Sequence, residues 1–205
     1  MGFLYENCTL KPYDADKLAY CYPFDCGNAD LNDFFSADVL KYTSELLGKS
    51  YCFTLDSDDK QIVAAFTLAN DSIKTFTLPN ARKKRVTAEI PREKQMKSYP
   101  AALIGRLGVS KGFRYITGEE KTIGDQLMDF IKAWFIDKSN KTGCRFLVVD
   151  AYNEESPLNY YKRNGFVELF STEEQEKQAT NMPNDKKLLT RLLYFDLIVL
   201  TTAPK

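Results

Sequence analysis

The stretch from residue 100 to residue 165 constrains the fold more than any other part of the chain. PAALIGRLGVS (100–110) is a short apolar run, the pattern of a buried strand. A long connection, KGFRYITGEEKTIG (111–124), leads into DQLMDFIKAWFIDKSNKTG. There Ile123, Leu127, Phe130, Ile131 and Trp134 recur at helical spacing, and Gly143 is the expected stop. CRFLVVDAYN (144–153) is again apolar and β-rich. A strand, a helix and a second strand in this order imply a right-handed crossover between parallel neighbours. SPLNYYKRNG (156–165) then predicts a short helix. Ser156 suits its N-cap, and Pro157 falls at the first helical position, where a missing N–H costs nothing.

The flanking segments predict antiparallel structure. YENCTLKP (5–12) alternates weakly and reads as a first strand. FDCGNADLNDFFSADVLKYTSELLG predicts a helix capped by Asn28 or Asp30, with Leu31, Phe34, Phe35, Val39 and Tyr42 at helical spacing and Gly48 as its stop. SYCFTLD (50–56) and QIVAAFTLAND (61–71) predict a hairpin joined through SDDK. FVELF and LLTRLLYFDLIVL (188–200) supply the last two strands. A basic, loop-rich insertion is expected at about 74–99 and a polar connection at about 171–187. The expected class is α/β (α+β mixed): a twisted mixed sheet, largely antiparallel with a central parallel pair, and helices on both faces. A length of 205 residues suits a single domain spanning 1–205.

Composition removes several chemistries. There is no histidine, so neither a Ser-His-Asp nor a Cys-His pair can be assembled. Proton transfer must use Tyr, Asp, Glu, Lys, Cys or water. The cysteines, Cys8, Cys21, Cys26, Cys52 and Cys144, have no C-x-x-C spacing, so no metal site is expected and reduced thiols are. Cations and anions balance at 28 each, which argues against a dedicated nucleic-acid binder while leaving room for a local basic patch. No apolar run is long enough to span a membrane and no signal peptide is visible, so the chain reads as soluble and cytoplasmic.

The run LIGRLGVS…TIGDQLM…FLVVDAYNEESPLNYYKRNGF resembles the acetyl-CoA-dependent GNAT N-acetyltransferase family over about half the chain. The opening FDCGNADLNDFF and the 50–71 hairpin resemble the branch that includes toxins acetylating aminoacyl-tRNA. The resemblance implies a sheet whose parallel pair is splayed, acetyl-CoA as acyl donor, and direct attack by a primary amine in a ternary complex. It maps the general acid onto Tyr161 and gives Tyr160 the core-facing aromatic position beside the cofactor. A phenol with a pKa of about 10 stays protonated at neutral pH and can protonate a thiolate whose conjugate acid lies near about 8.5.

The same resemblance places the coenzyme's pantetheine arm along Leu107, Gly108 and Val109, with Gly105 and Gly108 leaving room, and gives Asn153 and Ser156 contacts to it. Its phosphates would meet the N–H groups of Lys121, Thr122, Ile123, Gly124, Asp125 and Gln126 at a helix N-terminus. The family pattern there is Q/R-x-x-G-x-G/A. Here Glu119-Glu120-Lys121-Thr122-Ile123-Gly124 matches only at Gly124, and the two glutamates are expected to face solvent. The general base stays open among Glu89, Glu93, Asp150 and a water chain. The acceptor stays open among aminoacyl-tRNA, a protein amine and a small amine. Arg82, Lys83, Lys84, Arg85, Arg92, Lys94 and Lys97 could clamp an RNA backbone. The apolar final strand could support a homodimer. A reading from another class is a non-catalytic binding or regulatory module with a degraded phosphate loop.

Overall fold

The protein is described from a computed structural model covering residues 2–91 and 96–201. Among them, seven strands form one sheet: β1 (Cys8–Pro12), β2 (Lys49–Leu55), β3 (Asp58–Lys74), β4 (Ser98–Val109), β5 (Phe146–Tyr152), β6 (Val167–Glu168) and β7 (Thr190–Asp196). The order is β1-β2-β3-β4-β5-β7-β6. The pairs β1/β2, β2/β3, β5/β7 and β6/β7 are antiparallel. β4 and β5 are parallel, joined through the helix α6 (Ile123–Ile136). The crossover expected from the sequence is present, and the mixed sheet with it.

The chain separates into two compact units. The first comprises Met1–Ala69 and Ile104–Ala133. Its core is aromatic: Phe35 meets Phe24 and Phe34 edge-on at 5.4 and 5.2 Å and stacks with Tyr13 at 5.7 Å. Ile123, Leu127, Met128 and Ile131 give α6 its fully buried stripe, the i, i+4 pattern of an amphipathic helix. The second unit comprises Asn70–Leu103 and Trp134–Lys205. Its core centres on Phe146, which meets Tyr99 and Tyr194 edge-on at 6.2 and 5.8 Å.

Several elements differ from the sequence expectation. The predicted first strand opens instead as a helical turn, α1 (Phe3–Asn7), which buries Leu4 completely. A helix α2 (Ala15–Tyr20), capped by Asp14 accepting from the Lys17 N–H, was not anticipated. The helix expected after Asn28 is composite: α3 (Ala29–Asp33), a π turn (Phe34–Asp38) and α4 (Val39–Ser44). Asn28 caps it by accepting from the Leu31 N–H at 3.0 Å. It ends before Gly48, because Leu46 takes the left-handed conformation at φ 57°. Gly48 serves a close approach instead: a Cβ there would lie 2.8 Å from the Leu68 carbonyl oxygen. Likewise α6 stops at Ile136, ahead of Gly143.

The two polar segments contain helices. α5 (Asn80–Val86) lies in the stretch expected to be loop-rich, and Arg82 fixes it by donating to the carbonyls of Leu169 (2.9 Å) and Glu168. α8 (Glu173–Ala179) lies in the 171–187 connection. The buried Glu176 carboxylate accepts from Arg191 Nε and from the Leu192 N–H, both at 2.7 Å, and so locks α8 onto β7. α7 (Glu155–Arg163) begins two residues earlier than expected, with Glu154 in the extended cap conformation and accepting from the Leu158 N–H. Ser156 is therefore the second helical residue and not the N-cap. β7 ends at Asp196, a 3₁₀ turn follows (Leu197–Leu200), and the strand lies between β5 and β6. β5 pairs with it along its whole length on one side, and β6 pairs with it at Leu193 and Tyr194 on the other.

Candidate active site

In the first unit, the expected cofactor residues lie on the later half of β4 and at the start of α6. Leu107 and Val109 are half-buried, and Gly108 is buried. A Cβ on Gly108 would come within 3.1 Å of Cys26 Cβ and 3.2 Å of the Phe24 ring, so this glycine is spent on internal packing rather than on space for a ligand. Gly105 is the open one, with nothing within 4 Å of a built Cβ. Between them sits Arg106, a residue the sequence reading passed over. Its guanidinium lies 5.2 Å above the Phe34 ring and donates to the Gly105 carbonyl at 2.9 Å, while its Nε is buried without a partner among the described residues. A cation inside an otherwise apolar strand run was the signal for it.

The start of α6 is closed by its own groups. Thr122 Oγ1 accepts from the Asp125 N–H at 3.2 Å and donates to the Asp125 carboxylate at 2.7 Å, a reciprocal cap. The Ile123 N–H goes to the Arg114 carbonyl and the Gln126 N–H to that of Thr122. Gln126 is buried, accepts from the Leu4 N–H at 2.9 Å, and donates to Glu119 (2.8 Å) and to the Lys121 carbonyl (3.1 Å). Glu119 also accepts from the Phe3 N–H at 3.1 Å. It therefore turns inward to hold α1, against the expectation that both glutamates face solvent; Glu120 is exposed. Lys121 pairs with Asp129 at 2.6 Å, and that hydrogen bond raises its pKa. As folded, this helix start has its N–H groups spent at 123, 125 and 126 and a carboxylate over it. It does not suit a pyrophosphate without rearrangement of the Thr122–Asp125 cap.

In the second unit, β5 delivers Asn153 and α7 delivers Ser156, Tyr160 and Tyr161. Both Asn153 amide hydrogens are committed, to Glu173 at 2.8 Å and to the Leu188 carbonyl at 3.0 Å. Only its side-chain oxygen is left for a ligand. Ser156 is exposed. Tyr160 and Tyr161 meet edge-on at 5.0 Å. Tyr160 is half-buried, outside the core it was expected to face, and carries the Arg163 guanidinium over its ring at 5.1 Å. The ring that leans on the core is Tyr161, edge-on to buried Phe166 at 5.6 Å. Desolvation raises the Tyr161 pKa above its ordinary value. Among the described residues its hydroxyl has no hydrogen-bond partner.

No family model matches the chain, and no curated protein matches it. Solved structures do. AtaT complexed with acetyl-methionyl-tRNAfMet matches with a TM-score of 0.62 at 19% identity, over 95% of this chain and 98% of that one. AtaTR bound with acetyl-CoA matches at 0.60 and 19%, over 96% and 99%. The fold is GNAT-like. A tyrosine-to-phenylalanine variant of KacT matches this GNAT-like chain at 0.61 and 19% identity, over 96% and 98%.

Of the general-base candidates, Glu89 is exposed after α5, and Asp150 is exposed on β5. Glu93 lies outside the described residues, as do Arg92 and Lys94. Among the described residues no group of three or more metal-ligating side chains occurs, and no helix is long and apolar enough to cross a membrane.

Proposed function

We propose that this chain transfers the acetyl group of acetyl-CoA to the primary amine of an aminoacyl-tRNA, with Tyr161 as general acid. The observation that carries the reading is Tyr161. It is a neutral phenol with a raised pKa, no competing hydrogen bond, and a ring set against Phe166. The neutral amine attacks the thioester carbonyl, the C–N bond forms as the C–S bond breaks, the departing sulfur takes the proton held on the Tyr161 oxygen, and the proton shed by the nitrogen passes to water, from which the Tyr161 phenolate is reprotonated. The acceptor class rests on the solved toxin that carries acetyl-methionyl-tRNAfMet, and the donor on the one bound with acetyl-CoA.

The test is steady-state turnover of Tyr161→Phe with acetyl-CoA and aminoacyl-tRNA. The variant is expected to lose roughly 10²–10⁴ in kcat while binding acetyl-CoA as the parent does. Unchanged kcat removes the role.

One observation favours a second reading. The Thr122–Asp125 cap and inward Glu119 leave α6 poorly disposed toward phosphate, as in a non-catalytic binding module. Isothermal titration with acetyl-CoA separates the two, since the module binds none.

A further inference from the structure

We propose that α5 and the turn before it form an RNA-docking surface, with Lys83, Lys84 and Arg85 on phosphates and Phe76 stacked on an unpaired base. This names the contact for the RNA part of the acceptor and so rests on the proposed function. Several cations elsewhere in the described chain have a carboxylate to answer them: Lys111 pairs with Asp25, Lys121 with Asp129, Arg145 with Asp196 and Lys162 with Glu168. The cations here do not. Among the described residues, Lys83, Lys84 and Arg85 are exposed and form no ion pair, and Lys74 and Lys97 beside them are likewise exposed and unpaired. Between residues 72 and 91 the sequence holds a single acidic residue, Glu89. A local positive field results in a chain whose net charge is zero.

The surface is also held in place. Arg82 and Val86 face inward, one on the Leu169 carbonyl and the other in the core. With this side of a 3.6-residue helix fixed, Lys83, Lys84 and Arg85 fan over the outward sides. Thr75 ties the turn to the next segment: its N–H donates to the Lys97 carbonyl at 2.9 Å and its Oγ1 reaches the Met96 carbonyl at 3.1 Å. That tie brings Lys74 and Phe76 alongside Met96 and Lys97. The Phe76 ring is 65% exposed and Met96 55%, a cost that an isolated surface aromatic does not recover. An exposed ring beside unpaired cations is the combination that binds single-stranded nucleic acid, bases on the ring and phosphates on the cations. An acidic peptide would use the cations and leave the ring without a planar partner.

The experiment is filter binding of the full chain to deacylated tRNA across salt concentrations, without acetyl-CoA and without turnover. A failed acetyltransferase reading therefore leaves the result interpretable. The triple variant K83Q/K84Q/R85Q is expected to bind at least about tenfold more weakly at low salt, with the log–log salt slope reduced by about 2 to 3. Phe76→Ala is expected to weaken binding roughly fivefold to 150-fold with the slope unchanged, as loss of one stacked base does. K83R/K84R/R85K should retain both affinity and slope. All these positions are exposed, and an unchanged melting curve confirms that each variant folds. The proposal is overturned if the parent fails to bind tRNA, if the triple variant binds it like the parent, or if a polyglutamate peptide of matched charge binds as tightly with the same sensitivity to both variants.

Discussion

Two adjacent phenols on α7 have been given different environments, and chemistry follows from that difference. Tyr160 carries a guanidinium on its face, whereas Tyr161 sets its ring edge on Phe166 and keeps its hydroxyl uncommitted among the described residues. A donor works only while protonated, and burial raises the Tyr161 pKa above the ordinary value of about 10. Its proton is thus retained across the neutral range and beyond, and is lost only as pH rises through the raised value. The pH profile of kcat is expected to show no alkaline fall from this group up to about pH 10. A fall centred near pH 8 that disappears in Tyr161→Phe would contradict the assignment. The position of this tyrosine was legible in the sequence, since YYKRNGF follows a strand and a helix start. The commitment of Asn153 was not. Its amide is taken by Glu173 and Leu188, residues from a segment whose polar composition gave no hint of a helix packed nearby.

At the scale of elements, two helices that escaped the sequence reading, α5 and α8, are each anchored by one polar side chain, Arg82 and Glu176, rather than announced by apolar periodicity. α8 is the clearest case: STEEQEKQAT shows no apolar stripe, and what fixes it is Glu176 against Arg191 and the Leu192 N–H. Both side chains are buried, so removing one partner strands the other charge away from water. Glu176→Gln is expected to cost about 3–5 kcal/mol in urea unfolding, and the double variant E176L/R191M to fall close to the parent. A double variant as unstable as the single one would mean that the pair does more than satisfy itself. α6, by contrast, was legible from Ile123 to Trp134, yet the state of its first turn was not, because a capping box and a phosphate-binding turn draw on the same N–H groups. This gives opposed expectations for Asp125→Ala. The helix should lose about 0.3–1 kcal/mol with the carboxylate near its N-terminus, while acetyl-CoA should bind several-fold more tightly because a negative charge is removed from the helix start and the Thr122 hydroxyl that donates to it is freed. Weaker or unchanged binding in titration calorimetry would show that the cap is not what stands between this helix and a phosphate.

For the whole molecule, the sheet was legible because its middle is written in long apolar runs, Ile62–Thr67 in β3 and Phe146–Val149 in β5, buried residue after residue as strands covered on both faces must be. Its margins were not, since β6 is two residues long and β7 lies inside it; order within a sheet depends on pairing, which period-two patterning does not encode. A GNAT-like fold is common ground for the enzyme and for the binding module, so the fold cannot choose between them. Linkage can. A ligand that binds only the native chain raises its stability by RT ln(1 + [L]/Kd), about 2.7 kcal/mol at a hundredfold excess over Kd. For a chain of this length each kcal/mol moves the melting temperature by about 2–4 °C, so saturating acetyl-CoA is expected to raise it by roughly 5–10 °C. Tyr161→Phe should shift equally, because the hydroxyl is assigned to proton delivery and not to holding the donor. No shift at millimolar acetyl-CoA in either protein would remove the enzyme reading and leave the module. A shift in the parent that vanishes in Tyr161→Phe would instead make that phenol a binding group, with the proton reaching sulfur by some other route.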